Sequence, residues 1–472
     1  MSVESLPQAR PAAPALSTRA ALLALLKRLH FAIGLFVGPF IFVAALTGTL
    51  YVLTPQLESA LYAEQLFTDA TGPLQPLSRQ VAAAQAAAGA DARIIAVRPA
   101  PSPAQTTRVM FAAAGLGPSE SRALFIDPHT LALRGELTAY GTSGILPLRT
   151  TLDYLHRNLL LGEPGRIYSE LAASWLWVAA LGGLVLWLAQ RPPRLTRHAT
   201  DNARQQQRTR RRHAFTGLAL LLGLLFFSAT GLTWSGWAGS NIDRMRNALD
   251  WMTPAVSTTL HGAPAEAADP HAEHHGMMMM PGMAMPAAPA QTPAMFEGVL
   301  NAAQQAGIDA DRLEIRPAKV SGRAWTVNEI NPRWPTRVDS AAVDPHGFRV
   351  VDVVRFADFP LVAKLTRWGI DAHMGVLFGL PNQLLLAAFG LGLCLMIAWG
   401  YRMWWLRRPA APAQHPGQTL CAAWAALPRL PGILLLLVAA ALALALPVMG
   451  VSLLLFLLAD AWRWRRAVQG GR

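Results

Sequence analysis

Long uninterrupted apolar runs dominate this chain, and two more polar stretches of short alternating segments separate them. About 20 consecutive apolar residues cross a bilayer as a helix, because only a helix or a closed barrel satisfies its backbone hydrogen bonds without water. Windows of that length predict four spans: Leu29 to Leu53, Ile167 to Ala189, His213 to Ala238 and Gln383 to Leu406. A fifth run, Leu430 to Leu458, is long enough for one tilted span, yet Pro447 and Gly450 in its middle equally allow a kinked hairpin. The polar stretches each read as a helix followed by strands. In the first, Ser78 to Ala88 is the helix, and Ile94 to Arg98, Thr107 to Ala112 and Arg122 to Ile126 are the strands. In the second, Ala294 to Ala306 is the helix, and Leu313 to Arg316, Ala324 to Glu329 and Val338 to Val343 are the strands.

Composition fits a bilayer. Hydrophobic residues make up 53% and charged residues 15%, with a mean hydropathy of +0.29. That is too apolar for a water-soluble or disordered chain. Cys394 sits in an apolar run and Cys421 is remote from any partner motif, which excludes a disulfide scaffold, a zinc ribbon and a CxxC redox site. The net charge of +13 does not point to nucleic acid, since the arginines gather beside apolar segments as cytoplasmic loops do. Lys27 and Arg28 precede the first span, and Arg407 and Arg408 follow the fourth. Arg191, Arg194, Arg197, Arg204, Arg208, Arg210, Arg211 and Arg212 lie between the second and third.

Those ends are expected in the cytoplasm, which makes the chain a multi-pass bacterial inner-membrane protein with a cytoplasmic N-terminus and large periplasmic loops. The first run is too long for a signal peptide and lacks a cleavage site, so it is expected to act as an uncleaved anchor. The expected layout begins with a cytoplasmic tail (1–21), a first span (22–53), an outer domain (54–150), and a lead-in helix with the second span (151–189). A basic cytoplasmic loop (190–212), a third span (213–238) and a second outer domain (239–365) with a Met- and His-rich insertion (254–293) come next. A lead-in helix with the fourth span (366–406), a cytoplasmic loop (407–429), a C-terminal span or hairpin (430–460) and a basic tail (461–472) complete it.

The two halves repeat in register. His30 precedes Gly34 by four residues and Thr47-Gly48 by seventeen; His213 precedes Gly217 and Thr230-Gly231 by the same intervals. Asp127-Pro128-His129 begins 29 residues before His156, and Asp344-Pro345-His346 begins 29 before His373. His156 to Gly162 and His373 to Gly379 are both six residues, and His156 to Pro192 and His373 to Pro409 are both 36. Only the separation of His30 from His156, 126 residues against 160 in the second half, breaks the register, and the 34 extra residues fall near the insertion.

Ionisable residues at or within spans are rare and point to function with a partner. His30 and His213 stand at the cytoplasmic entry of a span, while His156 and His373 stand on the outer side, ahead of the next span. Pairing by depth gives two His–His pairs. No cysteine or carboxylate cluster shares either depth, so the ligand that best suits paired neutral imidazoles in an apolar bundle is iron of haem b, two haems in all. Zinc fits less well, because two imidazoles leave a tetrahedral site half empty.

Small residues lie where a porphyrin edge needs room. At about 100° per residue, Gly34 lies about 40° from His30 and Gly48 returns to its face, and Gly217 and Gly231 do the same for His213. Arg28, Arg157, Arg212 and Arg367 are close enough to offer partners to haem propionates. The bland alternative makes the histidines interfacial or capping residues and the glycines helix-packing positions. Four histidines repeated in register with small residues on the same faces favour haem. No catalytic side chain is assigned.

The insertion reads "HAEHHGMMMMPGMAM" from His271 to Met285. His271, His274, His275, Met277, Met278, Met279, Met280, Met283 and Met285 could hold copper, since thioether suits Cu(I) and imidazole suits Cu(II). Flanking prolines and alanines equally suit a disordered linker.

Four stretches carry a family resemblance: "LKRLHFAIGLFVGPFIFVAALTGTLYVL", "LDYLHRNLLLGEPGR", "RRRHAFTGLALLLGLLFFSATGLTWSG" and "DAHMGVLFGLPNQ". Over about residues 20 to 466 the chain resembles the PepSY-associated transmembrane family, which includes siderophore reductases of the FoxB type and related iron-uptake factors. The resemblance implies that the outer domains are PepSY-like, so the fold expected is an α-helical membrane protein with four main transmembrane helices, a C-terminal hydrophobic helix or hairpin, and two small α+β PepSY-like periplasmic domains in the internal two-fold repeat read above. It also implies two haems with axial ligands His30 with His213 and His156 with His373, delivering electrons to a ferric siderophore or other ferric chelate. The insertion is not part of that pattern. With no GxGxxG motif after a strand and no flavin domain, the donor is expected to be an external quinol or flavoprotein. Copper handling through the insertion and a non-catalytic PepSY regulatory membrane protein are the alternatives.

Overall fold

The computed structural model describes residues 17–89, 91–117, 119–190, 200–260, 290–407 and 420–469. The Met- and His-rich stretch from His271 to Met285 lies outside the described residues, as do Arg191, Arg194, Arg197 and Arg408. The N-terminal run forms helices α1 (Thr18–Ala32) and α2 (Gly38–Val52), joined through a π-turn at Ile33–Val37, then the short helices α3 (Thr54–Leu61) and α4 (Ala63–Leu66). Helix α5 (Leu77–Ala88) and strands β1 (Ile94–Arg98), β2 (Thr107–Phe111), β3 (Glu120–Ile126) and β4 (Leu133–Tyr140) follow. Next come α6 (Pro147–Asn158), α7 (Arg166–Ala189), α8 (Asp201–Ala219), α9 (Leu221–Thr233) and α10 (Trp237–Ala248). The second half adds α11 (Pro293–Gln305), β5 (Leu313–Arg316), β6 (Trp325–Glu329), β7 (Ser340–Val343), β8 (Val350–Val354), α12 (Leu361–His373) and α13 (Leu380–Arg407). Helices α14 (Leu420–Ala425), α15 (Arg429–Ala445) and α16 (Pro447–Gln469) complete it.

Four helical segments among the described residues are long and apolar enough to cross a membrane: Thr18–Val52, Glu163–Ala189, Leu380–Arg407 and Pro447–Arg466. The pair α8 and α9, bent by 60° at Leu220, is a fifth when taken as one span. The helix containing His213 therefore begins well before the expected span, at Asp201, where the Thr200 hydroxyl accepts from the Ala203 N–H at 3.3 Å. The C-terminal run is two helices rather than one. It breaks at Leu446 ahead of Pro447, which lacks the N–H that would continue α15. A Cβ at Gly450 would stand 2.6 Å from the Cβ of Ala443, so glycine lets α16 lie against α15.

The chain divides into two compact units. One comprises Met1–Val43, Ile167–Asn241 and Gly392–Arg472; the other comprises Ala44–Arg166 and Ile242–Leu391. In the first, charged and polar groups are consumed by helix ends. Glu170, 1% exposed, accepts from the N–H groups of Trp237 and Ala238 at 3.1 and 3.0 Å and so caps α10. Asn241 donates to the carbonyls of Leu444 and Ala445, closing the end of α15.

The second unit is built on one eight-stranded sheet of order β4-β3-β2-β1-β5-β6-β7-β8, antiparallel at every pairing. The two outer domains expected from the sequence thus share a sheet, and β4 and β8 are strands that the pattern did not announce. Alternation sorts the side chains. Val97, Val109, Leu124, Ile315, Val327 and Ala341 join Val81 of α5 and Phe296 and Val299 of α11 in one core. Ala96, Met110, Ala123 and Phe125 form another with Leu146. The repeated Asp-Pro-His is a turn device: Asp127 accepts from the N–H groups of His129 and Thr130, and Asp344 accepts from that of His346. Gly162 and Gly379, each six residues beyond a candidate histidine, have φ of +66° and +61° and end the lead-in segments in left-handed turns.

Candidate functional site

His30 on α1 and His213 on α8 meet, with ring centres 6.4 Å apart and planes at 80°. His30 and His213 would be the residues to hold a haem iron here, which would supply one-electron chemistry. The Nδ1 of His213 lies 2.9 Å from the Met396 carbonyl. A carbonyl only accepts, so Nδ1 carries the proton and Nε2 is left with its lone pair, the arrangement a metal-bound histidine needs. The His30 ring is buried, and the Ala179 backbone acts on it as a hydrogen-bond acceptor.

Neighbouring backbone grips these rings closely. A Cβ on Gly183 would stand 3.1 Å from Cε1 of His30, one on Gly182 would stand 3.8 Å from its Nδ1, and one on Gly400 would stand 3.7 Å from Cε1 of His213. Reading along the histidines' own helices missed these three. The repeat contains the signal, since Gly183 and Gly400 each stand 27 residues beyond His156 and His373. One turn past His30, the π-turn carries Leu35, whose carbonyl accepts from the Tyr401 hydroxyl at 2.7 Å.

In the other unit, His156 on α6 and His373 on α12 lie close enough to interact electrostatically. Burial, reinforced by His156, pushes His373 down to about 3, and burial also lowers His156. Both imidazoles are therefore neutral at physiological pH, as ligands must be. Thr47 Oγ1 stands 3.2 Å from the Ala44 carbonyl and 3.1 Å from Nδ1 of His156, and the Ala44 carbonyl also accepts from the His156 ring, so the ring is tied to the backbone and hydroxyl of α2.

The structure distributes the expected glycines differently from the sequence reading. Gly48 lies against His156, 3.2 Å from Cε1 as measured to its would-be Cβ, rather than serving His30. Gly34 has no atom within 4 Å of its would-be Cβ, which leaves that side of the His30 helix flat. Gly217 approaches the Met396 sulfur and Gly231 approaches the Ala173 Cβ, both helix contacts. Of the arginines, Arg212 is exposed and Arg28 half-buried. Arg367 pairs with Asp371 at 2.9 Å, and Arg157 lies over the rings of Tyr140 and Tyr154. Burial raises Asp371 to about 6 against the pull of Arg367.

Among the described residues no three His, Cys, Asp or Glu side chains gather as a metal-binding group. Two imidazoles per centre therefore suit a cofactor that brings its own equatorial donors, and the donor set fits haem better than a bare ion.

A multi-pass membrane chain with two histidine pairs is the class that these features define. The chain belongs to the family described as the PepSY-associated TM region, whose model matches residues 27–407 and so includes all four histidines. No curated protein matches the sequence.

Proposed function

We propose that this protein is a dihaem electron-transfer protein of the inner membrane that reduces a ferric chelate, foremost a ferric siderophore, on the periplasmic side for iron uptake. The observation that carries this reading is the His30–His213 pair, with its 6.4 Å spacing, near-perpendicular planes and Nδ1 of His213 engaged by Met396. Haem held by the two pairs supplies reversible one-electron exchange between Fe(III) and Fe(II).

The chain's own groups set the conditions. The Met396 carbonyl fixes the tautomer of His213, and Thr47 with the Ala44 carbonyl ties down the ring of His156. Gly182, Gly183, Gly400 and Gly48 seat the rings on backbone, which limits their rotation. Overall, one electron leaves a quinol or flavoprotein donor and arrives on Fe(III) of the chelate, and the Fe(II) produced is held weakly by hard oxygen donors and released.

Spectra of the purified protein test the reading. A Soret band, a split reduced α-band, two haems per chain and reoxidation of the reduced protein by a ferric siderophore are expected. A colourless preparation from haem-replete cells overturns it.

A further inference from the structure

Arg149 and His156 share one face of α6. Seven residues separate them, two turns of helix and about 10 Å along the axis. Arg149 is only 8% exposed, and its guanidinium carbon stands 4.6 Å from the ring centre of Tyr51. Nε and Nη2 of Arg149, and Oδ2 of Asp153 one turn nearer His156, are buried and make no close hydrogen bond among the described residues, while the guanidinium interacts with the Tyr51 hydroxyl.

Two carboxylates act on Arg149 electrostatically without satisfying those nitrogens. Glu58 accepts from the Leu146 N–H at 3.1 Å. Asp153 acts on Arg149 only through space, without a hydrogen bond to its guanidinium. Buried guanidinium donors left unmade are costly, and their planar fork matches the two oxygens of a carboxylate.

We propose that Arg149, supported by the Tyr51 hydroxyl, is the anion site of the His156/His373 centre and binds a carboxylate, that of a porphyrin propionate. The inference rests on the haem reading and gives Arg149 the role that the sequence offered to Arg157, whose guanidinium lies instead over Tyr140 and Tyr154. A carboxylate free in solution has the same chemistry, so the test separates the two sources.

Full-length protein stripped of cofactor is titrated with ferric protoporphyrin IX and with its dimethyl ester, for the wild type, Arg149→Leu and Arg149→Lys. At one of two sites the wild type binds the free acid about tenfold more tightly than the diester, as a charge-assisted hydrogen bond implies. Arg149→Leu binds the two alike, and Arg149→Lys keeps part of the preference. A preference undiminished in Arg149→Leu overturns the proposal. If that variant does not fold, an undiminished ratio in Arg149→Lys overturns it instead. Equal binding of both porphyrins by the wild type, with citrate raising its melting temperature but not that of Arg149→Leu, assigns the site to a soluble carboxylate and overturns the propionate. Wild type that binds neither porphyrin overturns the haem reading, and this inference with it.

Discussion

Cε1 of His30 lies 3.1 Å from the point where a Cβ on Gly183 would stand, so this ring rests on the backbone of α7 with no room for a side chain between them. Gly183→Leu therefore displaces the imidazole, and haem content falls from two to about one per chain. The comparison is Gly34→Leu, where no protein atom would be met within 4 Å. A fall in haem content in that variant reports on the cofactor rather than on helix packing. Pyridine haemochrome assays of both variants read the outcome; two haems retained in Gly183→Leu would show that the ring is not held this way.

On the dihaem proposal, replacing His156 or His373 with alanine is expected to remove one of two haems and to leave the far-ultraviolet circular dichroism unchanged. The helices α6 and α12 are anchored by residues other than these, among them Thr150 and Ala363, both buried. Unchanged haem content in both variants would refute the pairing.

Thr47→Val keeps the shape of the side chain and removes the hydroxyl beside Nδ1 of His156, leaving the ring the Ala44 carbonyl alone. Loss of such a support weakens metal affinity by about 10- to 100-fold. The expected result is faster haem transfer to apomyoglobin from one site, with the other site unaffected. Identical transfer rates in variant and wild type would show that Thr47 does not orient the ring.

Glu170 is a buried carboxylate whose whole role in the structure is to cap α10. Glu170→Ala should cost about 1–2 kcal/mol, seen as a lower melting temperature with both haems present. Loss of haem without loss of stability would mean that the residue serves the cofactor.

Glu314, 2% exposed, pairs with Arg98 at 2.6 Å and with Arg316 at 2.5 Å. Burial pushes its carboxyl up, and the two arginines outweigh this and leave it below its usual range. A carboxyl with a depressed folded-state pKa stabilises fully above its unfolded value near 4.3 and loses that contribution as pH falls through the folded value. Arg98→Met, which leaves the buried Glu314 to Arg316 alone, should cost about 1–3 kcal/mol at pH 7 and less at pH 4. Denaturation at both pH values measures it, and an equal cost at each would remove the charge from the explanation.

The apolar runs gave up the spans because twenty residues of one character have few other uses, and the strands β1 to β3 and β5 to β7 were readable from their alternation. Strand β4 hid because its first residues, Leu133 and Arg134, are exposed and Gly135 interrupts it with a φ of +147°. Strand β8 hid because Val350–Val354 carries no alternation. The repeat singled out the four histidines, and Gly162 and Gly379 have a plain conformational reason for their spacing. Gly183 and Gly400 escaped notice because a glycine in a membrane helix is unremarkable until a ring is known to lie on it. Arg149 escaped because it has no counterpart at the same offset from His373, where Thr366 stands. The joining of both halves into one sheet could not be read, since the residues between Val97 and Ile315, which pair, include the second and third spans and the insertion.

That seam has a consequence for biosynthesis. Strand β1 leaves the ribosome long before β5 exists, and Arg98 waits for a partner 216 residues downstream. Until the later strand arrives, one flank of β1 presents unpaired N–H and C=O groups to any passing extended chain. Maturation of the nascent polypeptide is thus exposed to edge-to-edge misassembly over that interval, and the emergence of β5 is what ends it.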